Sequence, residues 1–185
     1  MTEERVEPDD PLENLARELR QTVGAEFRAE AEAVETESEI GRLRRRSLAD
    51  VARQSADRGD LISVVLRDRT VTGHIVGAGK DYVSVETPSE WIDARLSRIA
   101  ITITPAHRGG LVPKGGSITF QARLAEFEHT SEAVELVAPD LGHAVCGRIR
   151  VVAGDHVIVR DIDGIDTVLP TGMVDVVVRS RPRQP

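Results

Sequence analysis

An internal repeat constrains the fold of this chain more than any other feature of its sequence. Three pairs of segments match in the same order along the chain: Gly73-His74-Ile75 with Gly147-Arg148-Ile149, Asp81-Tyr82-Val83-Ser84-Val85 with Asp155-His156-Val157-Ile158-Val159, and, one inserted residue later, Ile99-Ala100-Ile101-Thr102-Ile103 with Val174-Asp175-Val176-Val177-Val178. Because the apolar positions, the turns and a preceding helical segment all agree, the pattern indicates two copies of one small folding unit.

Both copies alternate apolar and polar residues with the period of a half-buried β-strand. Aromatic residues make up only 3% of the chain, so the core of each copy must be aliphatic. We therefore expect five short antiparallel strands per copy, near residues 61–104 and 133–179. The residues expected to be buried are Ile75, Val83, Val85, Ile101, Ile149, Val157, Val159 and Val176.

A long helical pattern precedes the first copy. Asp10 and Pro11 are typical of a helix start, and Glu13 completes a capping box. One apolar stripe follows at helical spacing and consists of Leu12, Leu15, Leu19, Val23, Phe27 and Val34. A second stripe begins at Ile40, and Ser47 with Asp50 is suited to cap a restarted helix. Residues 11–58 are therefore predicted to form one kinked helix or two helices in series.

The fold class predicted from these patterns is α+β: a long N-terminal helix followed by two small five-stranded antiparallel barrels, the second preceded by its own helix. The predicted segments are an acidic tail at 1–10, the helical region at 11–58, the first barrel at 59–104, a glycine- and proline-rich linker at 105–116, a helix plus the second barrel at 117–179, and a basic tail at 180–185.

A helix followed by five short, bent strands resembles the Sm-like fold, or more broadly the SH3-like small barrels. The features that carry this resemblance are the glycines Gly73 and Gly147, the turns at Asp81 and Asp155, and the closing aliphatic strands. The whole chain is also similar to a group of actinobacterial proteins with the same layout of helix and barrels. The resemblance implies RNA binding through an Asp-to-Asn loop and an Arg-Gly step. Here the first loop lacks the Asn, and the steps read Arg98-Ile99 and Gly172-Met173.

No residue pattern predicts a catalytic, cofactor-binding or metal-binding site. Gly77-Ala78-Gly79-Lys80 lacks the earlier Gly and the following Ser or Thr of a phosphate loop. The five histidines show no metal-ligand spacing, and Cys146 stands alone. The acidic residues around Gly164 lack the length of a calcium loop and suit a hairpin turn. We therefore expect a protein that is not an enzyme.

The net charge and the hydropathy of the chain make several classes of function less favourable. The net charge is −7, which opposes nonspecific binding to nucleic acid. No apolar run is long enough to cross a membrane, and the acidic N-terminus does not resemble an export signal, so a cytoplasmic location is expected. Barrels of this size are filled by their own side chains. We therefore expect a binding or regulatory adaptor that contacts another protein, or a second copy of itself, through the N-terminal helix stripe and the barrel edges.

The alternative function is an Sm-like regulator that binds RNA or DNA. Its candidate contact residues are Arg42, Arg44, Arg45, Arg46, Lys80, Tyr82, Arg98 and His156. The arginine run would contact phosphates, and Tyr82 and His156 occupy matching positions from which a ring could stack on a base.

Overall fold

The computed structural model describes residues 34–35, 37–66, 69–106, 110 and 118–181. The chain divides into two compact units, Met1–Arg46 and Ser47–Pro185. In the first unit the described residues 34, 35 and 37–44 are helical, and this segment is named α1. The stripe residues Leu12, Leu15, Leu19, Val23 and Phe27 lie outside the described residues.

The second unit is an α+β structure built on one antiparallel sheet. In chain order its elements are α2 (Leu48–Arg58), β1 (Leu61–Val65), β2 (Thr70–Ala78), β3 (Tyr82–Glu86), β4 (Glu90–Arg95), β5 (Ala100–Thr104), α3 (Phe120–Thr130), β6 (Ala133–Ala138), β7 (His143–Val152), β8 (His156–Arg160), β9 (Asp166–Pro170) and β10 (Val176–Ser180). The ten strands are arranged in the order β5-β1-β2-β3-β4-β10-β6-β7-β8-β9.

This strand order differs from the prediction of two separate, closed barrels. The strands of the two repeats form one open sheet, because β4 of the first repeat hydrogen-bonds to β10 of the second. Within each repeat the order is the same: the fifth strand lies beside the first, and the others follow in sequence. Alternation of apolar residues predicts strands and their buried faces, but it does not indicate which strand edges meet.

The start of α2 confirms the helix restart predicted at Ser47. The Ser47 side chain accepts a hydrogen bond from the Asp50 backbone N–H, and the Asp50 carboxylate accepts one from the Ser47 backbone. Because this capping box satisfies free N–H groups of the first turn, a new helix begins here. At the other end, Gly59 adopts the left-handed conformation, with φ of 68°, and ends the helix.

The two repeats share close structural details. A Cβ atom at Gly73 would overlap the Glu86 carbonyl oxygen and approach Val85 Cγ1 to 2.9 Å, and a Cβ at Gly147 would meet Arg160 and Val159 in the same way. The second strand of each repeat has a register shift just after this glycine, between Ile75 and Gly77 and between Ile149 and Val151. Glycine is required at both positions because the neighbouring backbone leaves no room for a side chain.

The pairing of the closing strands corrects the sequence alignment by one residue. Ile101 lies opposite Val64 of β1, and Val177 lies opposite the equivalent residue Leu136 of β6. Ile101 therefore corresponds to Val177, not to Val176, and Asp175 is an extra residue before β10. An alternating aliphatic run matches itself at several offsets, so the sequence alone did not reveal this insertion.

The buried residues form two hydrophobic clusters, one under each repeat. Seven of the eight residues expected to be buried are buried, and Ile101 is half-buried because its strand lies at the end of the sheet. The helices pack on their own repeats with different residues: α2 buries Ala49, Ala52 and Ala56, whereas α3 buries Phe120, Leu124 and Phe127.

Candidate interaction surface

The contact between β4, β10 and α3 is named the internal junction, because it joins the two repeats. In β4 and β10, Ala94 lies opposite Val176, Asp93 opposite Val177, and Ile92 opposite Val178. Val176 and Val178 pack into the first repeat's core, while Val177 packs into the core of its own repeat. A strand that contributes side chains to both cores holds the two repeats together as one structure.

A buried group of charged and polar side chains lies at the centre of the internal junction. Asp93 is fully buried and accepts a hydrogen bond from the Ser84 hydroxyl. Arg123 Nε of α3 lies 3.1 Å from Asp93 Oδ1, and Arg179 Nη2 of β10 lies 3.5 Å from Asp93 Oδ2. The carboxylate of one repeat is thus neutralised by two arginines of the other, as a buried charge requires.

Aromatic rings pack against the same two arginines. The Arg123 guanidinium carbon lies 4.6 Å from the centre of the Phe127 ring, and that of Arg179 lies 5.0 Å from Phe127 and 5.1 Å from Trp91. Burial acts to lower the pKa of Arg123, but Asp93 and Glu126 outweigh it and raise that pKa above its ordinary value. Arg123 therefore stays charged beside Asp93.

A second set of contacts joins the repeats at the turn that follows β2. Asp81 Oδ1 accepts a hydrogen bond from the Phe120 backbone N–H at 2.7 Å, which places the first turn of α3 against the first repeat. Arg95 donates to the carbonyl oxygens of Val174 at 3.2 Å and Thr171 at 3.1 Å. The internal junction is therefore held at this end as well as at its centre.

The sheet ends in two strands that pair on one side only among the described residues: β5, beside β1, and β9, beside β8. Aliphatic side chains are exposed at the β9 end, where Val168 is 60% and Ile165 is 62% exposed. On β5, Ile101 and Ile103 are half-buried. Unpaired strand edges present backbone N–H and C=O groups that can pair with another strand, so these edges are the candidate interaction surface.

The candidate nucleic-acid residues are divided between the two units. Arg42, Arg44 and Arg45 are exposed and Arg46 is half-buried, all in the first unit. The remaining four candidates lie in the second unit and occupy different environments. Lys80 and Arg98 are exposed, and Arg98 Nε lies 3.4 Å from Asp175. His156 is half-buried with its Nδ1 2.6 Å from Asp155, and Tyr82 is only 2% exposed.

The Tyr82 ring packs on Phe120, with 6.3 Å between the ring centres, and burial raises the pKa of its hydroxyl. Tyr82 belongs to the hydrophobic cluster of the second repeat, so its ring is buried and not available to stack on a base. Of the candidate protein contacts, Val34 is described, and it is 62% exposed on α1.

Sequence reasoning did not find Asp93, Arg123 or Arg179. Asp93 alternates with the buried Ile92 and Ala94, so its position is typical of a solvent-facing strand residue. The sequence shows only a carboxylate between two apolar residues of a strand, and this pattern does not indicate that α3 covers the face of the sheet that carries Asp93. Cys146 is exposed on β7, on the side of the strand opposite the buried Val145 and Ile149.

Within the described part of the chain, no group of three or more His, Cys, Asp or Glu side chains is placed to hold a metal ion. None of the described helices combines the length and hydropathy needed to cross a membrane. No protein-family model matches the sequence, and a search of curated proteins finds no similar protein.

Proposed function

We propose that this protein is a non-catalytic binding or regulatory adaptor of the cytoplasm, which contacts other proteins through its N-terminal helix and its strand edges. We further propose that its two repeats are Sm-like units whose strands are joined side by side in one sheet. The shared order of helix and five antiparallel strands supports this assignment, as do the equivalent glycines Gly73 and Gly147. The observation that carries the adaptor function is that, in the described part of the chain, the edge strands β5 and β9 each pair on one side only and carry aliphatic residues that are exposed or half-buried.

Exposed apolar residues on α1 supply the second part of this proposal. Val34 is 62%, Ile40 44% and Leu43 50% exposed. Ile40 and Leu43 are three residues apart and therefore share one face of the helix. An exposed apolar helix face suits a groove on another protein, which would remove these side chains from water.

Affinity purification of the full chain from its native host, with mass spectrometry of bound proteins, tests the adaptor proposal. We expect Ile40→Glu to lose the main bound protein and Ser38→Glu to retain it, because both residues are exposed on α1 but only Ile40 is apolar. Val168→Asp tests the β9 edge in the same way. The proposal is wrong if no protein is retained above background by the wild-type chain, or if neither Ile40→Glu nor Val168→Asp changes the bound set.

The alternative is an Sm-like regulator that binds RNA or DNA, and the exposure of Arg42, Arg44 and Arg45 supports it. Such binding would be electrostatic and would weaken steeply with salt. A titration with labelled single-stranded RNA at physiological salt separates the two functions. Affinity below about 1 μM, reduced by substituting these arginines, would replace the adaptor proposal with the nucleic-acid function.

A further inference from the structure

The equivalence of the two repeats identifies which residues of the unpaired edges match those of the internal junction. Helices α2 and α3 have the same length and follow equivalent caps, Ser47 and Thr119, so Val51 corresponds to Arg123. The third and fourth strands pair Ser84 with Asp93 in the first repeat and Ile158 with Val168 in the second. On the closing strands, the register that aligns Ile101 with Val177 also aligns Ile103 with Arg179.

Every polar member of the buried group at the internal junction has an aliphatic counterpart at the unpaired edges. Ser84 and Asp93 are replaced by Ile158 and Val168 at the β9 edge, and Arg123 and Arg179 are replaced by Val51 and Ile103 at the β5 edge. The two edges lie at opposite ends of the sheet, so they do not contact each other within one chain. Both edges nevertheless carry aliphatic residues where the internal junction has polar ones, so the aliphatic surface of one edge is complementary to that of the other.

We propose that the unpaired edges bind each other between chains: β9 of one molecule pairs with β5 of a second copy, in the register of β4 with β10. This inference deepens the proposed function by naming the partner of the strand edges. In that register Val168 lies opposite Ile101 of the other chain, just as Asp93 lies opposite Val177. Val168 would then be covered by Val51 and Ile103, so that the junction between chains has an aliphatic centre instead of an ionic one.

The exposure of these residues in one chain agrees with a missing neighbour. Val177, which pairs with β4, is fully buried, whereas its counterpart Ile101 on the edge strand β5 is half-buried. Asp93 is fully buried and its counterpart Val168 is 60% exposed. Pairing of the two edges would bury these aliphatic side chains and would satisfy the backbone groups of both strands.

Two features make this junction weaker than the internal one. Pro170 corresponds to Arg95, whose backbone N–H donates to the Asp175 carbonyl oxygen at 2.9 Å, and proline has no such donor. Asp166 corresponds to Trp91, so the ring that packs on Arg179 has no equivalent. Association between chains is therefore expected to depend on concentration. It joins different surfaces head to tail, so it produces a closed assembly or a filament.

The test compares the full-length wild type with two full-length variants by sedimentation velocity over a concentration series. We expect the wild type to associate and Val168→Asp to be monomeric, because the substitution places an unpaired carboxylate in the aliphatic centre. Val151→Asp is the matched control: Val151 is 40% exposed on the inner strand β7, and its variant should associate like the wild type. Circular dichroism confirms that each variant is folded.

A double variant tests the contact itself. Val51→Arg with Val168→Asp rebuilds, between chains, the pair that Arg123 and Asp93 form within one chain, and we expect it to restore association. Mixing provides a second test of the head-to-tail arrangement. Thr102→Lys blocks β5 and Val168→Asp blocks β9, so each alone should be monomeric, while an equal mixture should form a dimer through the intact β9 of one variant and the intact β5 of the other.

A wild type that stays monomeric throughout the series would overturn the inference, as would association that Val168→Asp leaves unchanged or a mixture that remains monomeric. Unchanged association by Val168→Asp would assign self-contact to another surface, such as α1, and would leave the adaptor function standing. Failure of the adaptor function is recognised separately, by the absence of any bound protein other than this chain in the purification described above.

Discussion

Asp93 and Arg123 belong to different repeats, yet Arg123 Nε lies 3.1 Å from Asp93 Oδ1 in the buried centre of the internal junction. The contact stabilises the fold, and it also fixes the register in which β4 pairs with β10. A one-residue slip of β4 against β10 would move Asp93 to the opposite face of the sheet and leave a buried charge without a partner.

Removing one member of this pair should therefore be far more costly than removing both. We expect Asp93→Val to lower the free energy of unfolding by about 3–5 kcal/mol, because two arginines then lose their buried counter-charge. The double variant Asp93→Val with Arg123→Val, which copies Val168 and Val51, should lose less than the sum of the single variants. Urea denaturation of the four proteins of this cycle measures the coupling, and additive losses would contradict it.

The equivalent glycines should be intolerant of even one added carbon. We expect Gly73→Ala and Gly147→Ala each to lower the free energy of unfolding by about 1–3 kcal/mol or more, since a Cβ at either site overlaps a backbone carbonyl oxygen. Gly154→Ala is the control, because nothing lies within 4 Å of a Cβ at that position. Equal urea midpoints for Gly73→Ala and Gly154→Ala would show that the strands do not approach so closely.

The edge position of β5 should appear in the response to core truncation. Ile92→Ala on the inner strand β4 should cost about 2–5 kcal/mol, because Ile92 is fully buried in the core of the first repeat. Ile101→Ala removes the same atoms from a half-buried site and should cost clearly less when measured at low protein concentration. Thermal melting of both variants provides the comparison, and similar losses would contradict the placement of β5 at an unpaired edge.

The pH dependence of stability should show the arginine contacts of Asp166. Arg160 donates two hydrogen bonds of 2.7 Å to the Asp166 carboxylate and, with help from Arg150, lowers the pKa of Asp166 below its ordinary value. A lowered pKa in the folded state gives stability that is present above the ordinary value of about 3.9 and is lost as the pH falls through the folded-state pKa.

The difference in melting temperature between the wild type and Asp166→Asn should therefore be constant from neutral pH down to about pH 5 and should shrink below about pH 4. High salt should reduce it as well, because the contact is exposed. A difference that grows on acidification would show that Asp166 is not held as a carboxylate by the two arginines.

Local features of this protein were readable from the sequence because they depend on residues close together in the chain. Ser47 and Asp50 form the predicted capping box, since both partners lie within one helical turn. Gly73 and Gly147 mark the equivalent bends of the two repeats, and the matched turns at Asp81 and Asp155 support the same register over β2 and β3. Repetition made these signals stronger, because each feature occurs twice at the same spacing.

The joining of the repeats was decided only by tertiary structure. The pairing of β4 with β10 brings together residues about eighty positions apart, and no local pattern records which edge meets which. Asp93 alternates like a solvent-facing residue and is buried only because α3 and β10 cover it. Likewise, only the strand registers show that Val168 and Ile103 occupy the positions equivalent to Asp93 and Arg179. Burial and charge pairing depend on neighbours in space, and those neighbours exist only after the chain has folded.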